Sequence, residues 1–200
     1  ATTSGIIRAP LMQKVTYKPL KSFTPIIGFA YPQNAIIVPN DSPFKNLKEL
    51  LDYAKKNPNK IKYGTTGPGS SQHHQMELLA HELGIKWVHI PYKGTQDAIT
   101  ALLGGHIDVC SAGPEWVPVK RNNQAKILAV SQAKRSPNFP EIPSVVELGY
   151  SVVDEVIFSV VGPANLPPEV LQKLEGTFKK AMESQEFKKA VDKLDLINTY

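Results

Sequence analysis

The residues with the clearest chemical potential stand at 64–73, Gly64-Thr65-Thr66-Gly67-Pro68-Gly69-Ser70-Ser71-Gln72-His73. Gly64, Gly67 and Gly69 let backbone N–H groups come close to a ligand, and Ser70 or Ser71 can cap a following helix. The exposed amides and the dipole at such a helix start make an anion site. Two readings stay open here, an anion site or a plain strand–helix turn with a good cap. No Lys-Ser/Thr pair closes the glycine run, so it is not a nucleotide P-loop. Nor do the glycines have the dinucleotide spacing. A nucleophile elbow needs Gly-x-Ser-x-Gly, and Gly69-Ser70-Ser71-Gln72-His73 lacks the second glycine. Ser71 and His73 as adjacent loop residues rarely form a catalytic pair without an orienting acid.

His74 and His81 lie seven apart on one helix face, but His-x-x-x-His spacing is absent, and a zinc site needs three or four converging ligands. Neither a metal nor a cofactor is expected. Cys110 is the single cysteine, which excludes an internal disulfide framework and a cysteine-based zinc cage. Its apolar strand makes it inert core. Trp87 and Trp116 read as packing residues before ligand walls.

These residues need elements to hold them. Residues 34–38 form an apolar run stopped by Pro39, which suits a buried strand. Ser42-Pro43 introduces an amphipathic helix through Leu47, Leu50, Leu51 and Ala54, ended by Asn57-Pro58-Asn59. Strands are expected at 61–64, 87–90, 107–110 and 126–130. Between them fall a helix with Met76, Leu79, Ala80 and Leu83 on one face, closed by Gly84, and a short helix at 97–103. Strands alternating with helices imply βαβ units and a largely parallel sheet. Beyond 131 come a Pro-rich loop at 136–143, a short helix ending at Gly149, and a long apolar strand at 152–161. Pro167-Pro168 starts a helix whose buried stripe is Val170, Leu171, Leu174, Phe178 and Ala181. Ser184 caps a last helix with Phe187, Ala190, Val191 and Leu194.

The composition is that of an ordinary globular protein. The 200 residues carry 23 Lys+Arg against 18 Asp+Glu, a net charge of +5, with 42% hydrophobic residues. The basic residues are dispersed and the aromatics show no base-stacking spacing, so nucleic acid is not an expected partner. A mildly positive cleft for a small acidic solute fits better. No stretch approaches 18 consecutive apolar residues, which excludes direct membrane insertion by a helix. The N-terminal Ala1-Thr2-Thr3-Ser4-Gly5 has neither the basic nor the apolar region of a signal peptide.

Four segments carry a family resemblance in the same order and at compatible spacing. They are residues 63–73, His89-Ile90-Pro91-Tyr92-Lys93-Gly94, Leu102 to Val109, and Ala129 to Pro137. Pro140-Glu141-Ile142-Pro143-Ser144-Val145 and Lys21-Ser22-Phe23-Thr24-Pro25 extend the match over essentially the whole chain. The sequence resembles the periplasmic solute-binding receptors of tripartite tricarboxylate transporters, the Bug proteins. That likeness implies an α/β fold of periplasmic-binding-protein type II, with two lobes of mainly parallel sheet joined by crossed hinges. Residues 1–34 then belong to lobe 1, 35–155 form lobe 2, and 156–200 return to lobe 1. Family members usually start earlier and run on past Tyr200, so the resemblance implies a complete second lobe and an incomplete first one.

The resemblance also implies a function. A small organic carboxylate binds in the cleft between the lobes, in the periplasm of a Gram-negative bacterium, and is delivered to membrane transporter subunits. Thr65, Thr66, Gly67, Gly69, Ser70, Ser71 and His73 match the family's second-lobe loop, where hydroxyls and amides hold a carboxylate. Ser4 and Gly5 match a small-residue loop of the first lobe. In the family the loop after Val109 often carries an acidic or amide residue that helps read the ligand. Here it runs Cys110-Ser111-Ala112-Gly113-Pro114-Glu115, a departure, and Ser111, Ala112 and Gly113 are its candidate ligand residues. Tyr92 and Lys93 belong to the signature as loop-packing residues. Backbone amides suit such a ligand because fixed N–H dipoles stabilise an anion without a buried arginine. The alternative is an enzyme on the same scaffold acting on a small acidic substrate, with His73 as its first candidate.

Overall fold

The computed structural model describes residues 5–153 and 156–198. In chain order the elements are α1 (Gly5–Met12), β1 (Phe23–Tyr31), β2 (Ala35–Pro39), α2 (Leu47–Lys56), β3 (Lys62–Thr65), α3 (Ser71–Leu83), β4 (Val88–Pro91) and α4 (Thr95–Leu103). They continue as β5 (Val109–Ala112), α5 (Trp116–Arg121), β6 (Ala125–Val130), β7 (Phe158–Pro163), α6 (Pro168–Met182), α7 (Gln185–Lys193) and β8 (Ile197–Asn198). The chain divides into two compact units, one of residues 1–32 and 156–200 and one of residues 33–155.

The larger unit is a three-layer α/β/α sandwich. Its sheet runs β4-β3-β5-β2-β6. β3 pairs parallel with β4 and β5, while β2 pairs antiparallel with β5 and β6. Four of the five strands therefore point one way, the mainly parallel sheet that alternating strands and helices imply. Period-two alternation divides the core. Ile36, Val38, Tyr63 and Val109 face α2 and α3, meeting Leu47, Leu50, Leu51, Met76 and Leu79. Ile37, Cys110 and Ala112 face the other way, toward Ala98, Ile99 and Leu102 of α4 and Trp116 of α5. Asn46 caps α2 by accepting from the Glu49 amide, and Gly84 ends α3 at φ +67°, the left-handed closure the sequence implies.

The smaller unit contains an antiparallel three-stranded sheet, β7-β1-β8. Sequence analysis assigns no element to β1, whose Pro25 and Gly28 weaken any strand signal. Long-range pairing with β7 overrides them. The long strand expected at 152–161 is present only as β7. Val152 instead anchors in the core of the larger unit, where its carbonyl accepts from Gln75 Nε2 at 3.5 Å. The short helix expected before Gly149 is a series of turns. Ser144 and Glu147 bond reciprocally as a capping box, but Gly149 at φ +89° closes the segment before a helix can propagate. The expected stripe of α6 is only half covered. Met182 is its one buried residue, and Phe178 and Ala181 line an apolar groove of about 360 Å³ with Ile27, Phe29, Val160 and Phe187.

Trp116 ties α5 to the sheet. Its ring is fully buried, meets Phe139 edge-on at 5.1 Å, and its indole N–H donates to the Gln33 carbonyl at 2.6 Å. Trp116→Ala should destabilise the protein by about 3–5 kcal/mol in urea unfolding. Trp116→Phe should cost about 1–3 kcal/mol, because the buried indole hydrogen bond to the Gln33 carbonyl is lost. Equal and negligible losses for the two variants would contradict this role.

Candidate functional site

Buried polar side chains gather at one edge of the five-stranded sheet. The register sets Ala35 opposite both Ala112 and Val130, and Gly64 opposite Cys110. Because β2 runs against its neighbours, its N-terminal end lies beside the C-terminal ends of β3, β5 and β6. Asn34, Thr65, Ser111 and Ser131 therefore meet at this edge, each 2% exposed or less. The Ser131 amide donates to the Asn34 carbonyl at 2.8 Å. Helices α3 and α4 start here too, so their unbonded first-turn amides face the same edge.

The loop between β3 and α3 is built from its own hydroxyls. Thr65 Oγ1 accepts from the Gly67 amide at 3.1 Å. Ser70 Oγ donates to the Gly67 carbonyl at 2.8 Å and accepts from the His73 amide at 3.2 Å, which caps α3. Gly67 at φ +105° and Gly69 at φ +77° adopt a backbone that a side chain would strain. Gln72 organises the mouth of the loop. Its Oε1 accepts from Thr66 Oγ1 at 3.1 Å and from Ser71 Oγ at 3.5 Å, and Ser71 Oγ accepts from Asn34 Nδ2 at 3.2 Å.

Behind the loop lies a titratable group of a different character. His89 Nε2 sits 2.7 Å from Thr65 Oγ1, its ring stacks on Tyr63, and it lies 4.3 Å from the His73 ring. Burial first, and the neighbouring His73 second, push His89 down to about 4, with Glu77 opposing. It is neutral at neutral pH. Tyr63 donates its hydroxyl to Glu77, and burial, reinforced by that carboxylate, raises its pKa strongly. Burial, with the Glu115 charge, pushes Cys110 up to about 12, so this thiol is inert core.

Thr65, Thr66, Gly67, Gly69, Ser70, Ser71 and His73 form one loop and helix start, and Ser111, Ala112 and Gly113 end β5 at the same edge. Gly5 begins α1 in the smaller unit instead of occupying an open loop, and Ser4 lies outside the described residues. Ser71 and His73 are not arranged as a nucleophile and base, since the Ser71 hydroxyl bonds Asn34 and Gln72 while His73 packs on His89. Tyr92 packs over Gly64, where a Cβ would come within 3.1 Å of its ring. Lys93 is exposed. The structure adds Asn34, Gln72, Thr95, Glu115 and Ser131 to the group. Gln72, Glu115 and Ser131 lie inside the quoted segments, whereas Asn34 joins only through the direction of β2. Among the described residues no three His, Cys, Asp or Glu side chains are placed to hold a metal, and no helix is long and apolar enough to cross a membrane.

Solved structures similar to this chain include periplasmic binding proteins. The periplasmic binding protein BugD superposes with a TM-score of 0.89 at 30% identity, over 98% of this chain and 67% of that one. An R. palustris protein with adipate gives 0.89 at 25% identity, over 100% of this chain and 68% of that one. The UPF0065 protein in the gbd 5′ region of Cupriavidus necator is 37% identical over 191 residues, 96% of this chain and 58% of the relative. Residues 1–200 match the tripartite tricarboxylate transporter family receptor. The chain belongs to that family, and it spans a little over half the length of this curated relative.

The depressed His89 sets a pH dependence with a definite sign. Its folded-state pKa lies below the unfolded value of about 6.5, so the unfolded chain binds the proton first. The contribution of His89 is fully present above about pH 6.5 and is lost as pH falls toward about 4. Histidine ring signals followed by NMR should include one that titrates near pH 4, and His89→Gln should reduce the loss of stability across that window. A His89 midpoint near 6.5 would contradict the geometry. Separately, Ser70→Ala should cost about 1 kcal/mol in denaturant unfolding through loss of the cap.

Proposed function

We propose that this chain is the ligand-holding part of an extracytoplasmic solute receptor, not an enzyme, and that it takes a small organic carboxylate at the 65–71 loop. The observation that carries the reading is the conjunction of hydroxyls and first-turn amides at the start of α3. Thr66 and Ser71 line the mouth with their hydroxyls on Gln72 Oε1, and glycines at 67 and 69 shape a backbone that no side chain covers. A carboxylate oxygen placed at the mouth of α3 meets N–H groups already oriented by the helix, and the dipole favours the negative charge. Family membership supports the same ligand class, as does the adipate in the R. palustris neighbour. In the whole protein, ligand binding favours one arrangement of the receptor, which then docks on membrane transporter subunits in the periplasm. The site residues fit recognition of an anion without covalent chemistry.

A panel of mono-, di- and tricarboxylates added to the full-length receptor should include members that raise its melting temperature. Thr66→Ala and Ser71→Ala should each weaken the best ligand by up to about tenfold, because each removes a hydrogen bond that holds Gln72 at the mouth of the loop. A panel with no stabilising member, or variants that bind as wild type does, would remove the carboxylate reading of this loop.

A further inference from the structure

The Thr65 hydroxyl is buried, the residue being 1% exposed, and its two hydrogen-bond partners decide where its proton goes. One lone pair of Oγ1 accepts from the Gly67 amide at 3.1 Å. The other partner is His89 Nε2 at 2.7 Å. A hydroxyl has a single proton to give, and a buried donor without an acceptor is costly. Thr65 therefore donates to Nε2, and the imidazole carries its own proton on Nδ1. That tautomer requires a neutral ring, and the surroundings keep it neutral. The ring stacks on Tyr63 at 4.9 Å and lies 4.3 Å from the His73 ring. Burial first and His73 second oppose the imidazolium, and the Glu77 carboxylate favours it less.

From Thr65 the bonds run on into the loop backbone. Gly67, held at φ +105°, offers its carbonyl to the Ser70 hydroxyl at 2.8 Å and to the Ser70 amide at 3.2 Å. Ser70 Oγ in turn accepts from the His73 amide and caps α3. The imidazole on β4 is thus the far end of a relay that finishes at the first turn of α3. Without an acceptor at position 89 the Thr65 hydroxyl must turn to find another, which withdraws its lone pair from the Gly67 amide. The arranged loop is then only fractionally populated, and apparent affinity falls by that fraction.

We infer that His89 is a positioning residue for carboxylate binding: its neutral ring accepts the Thr65 hydroxyl proton and so holds the 65–71 loop in the geometry that presents the α3 amides. The inference rests on the carboxylate reading above and deepens it.

Three forms of the full-length receptor test it at neutral pH. They are the wild type, His89→Gln, which keeps an acceptor where Nε2 stands, and His89→Phe, which keeps a ring on Tyr63 but offers no acceptor. Nitrogen NMR of the wild type should show His89 protonated at Nδ1 and bare at Nε2. The Gly67 amide should exchange about tenfold faster in His89→Phe and near the wild-type rate in His89→Gln. Calorimetric affinity for adipate, succinate or citrate, whichever the wild type binds, should fall about tenfold in His89→Phe and be largely kept in His89→Gln. A purely packing role for the ring predicts the opposite order, because Phe fills the space better than Gln. A wild-type Nε2 that carries the proton, or a His89→Phe receptor with wild-type Gly67 exchange or affinity, would overturn the inference. The tautomer is read on the wild type alone, so the inference can fail even if His89→Phe does not fold. If the wild type binds none of the three acids, the carboxylate reading is what suffers, while the tautomer and Gly67 exchange still decide what His89 does to the loop.

Discussion

Thr65 is almost fully buried at the end of β3, and its side chain and carbonyl make the bonds from which the site is assembled. Its hydroxyl takes the Gly67 amide and meets His89, and its carbonyl accepts from the Tyr92 amide at 2.9 Å. A buried hydroxyl must be paired, and here the pairing fixes the first turn of the loop. From that turn follow the positive φ of Gly67, the cap supplied by Ser70 and the direction in which α3 leaves the sheet. The helix start is thus preorganised before any ligand arrives, so little ordering is left for binding to accomplish.

The direction of β2 is the second constraint. In a purely parallel sheet, the start of a strand lies at the end opposite the one where α3 and α4 begin. Reversal of β2 carries Asn34 to the latter end, where it supports Ser71 and accepts from Ser131. Gln75 extends the same network inward, since its Oε1 accepts from Ser131 Oγ at 2.7 Å. Polar groups that cost stability singly are tolerated because they satisfy one another. Ser111 Oγ and Glu115 Oε2 are buried at this edge without a hydrogen-bond partner among the described residues.

Much of the larger unit was legible in the sequence because its signals are local. The apolar runs, the Ser70 cap and Gly84 mark β2, β3 and α3 within a residue or two, whereas α2 starts at Leu47, capped by Asn46, and not directly after Ser42-Pro43. β5 begins two residues later than expected, since Asp108 spends its carboxylate on the Lys62 amide at 2.7 Å and the ladder with β3 starts only at Val109. Other features left no local trace. Apolar periodicity has no sign, so the reversal of β2 could not be read from residues 34–38. β1 contains a proline and a glycine and exists because β7 pairs with it. The stripe of α6 announces burial, yet the smaller unit among the described residues covers only part of it. The 65–73 loop stood out through its residue types, while Gln72 and Glu115 gained their places only from the folding of two loops onto one another.

A crystal structure of the full-length receptor with a stabilising carboxylate bears most directly on the central claim, that the 65–71 loop and the α3 start hold the ligand. The account predicts a carboxylate group within hydrogen-bond distance of the Thr66 and Ser71 hydroxyls and the first-turn amides of α3. A carboxylate bound elsewhere, with this loop occupied only by solvent, would contradict it.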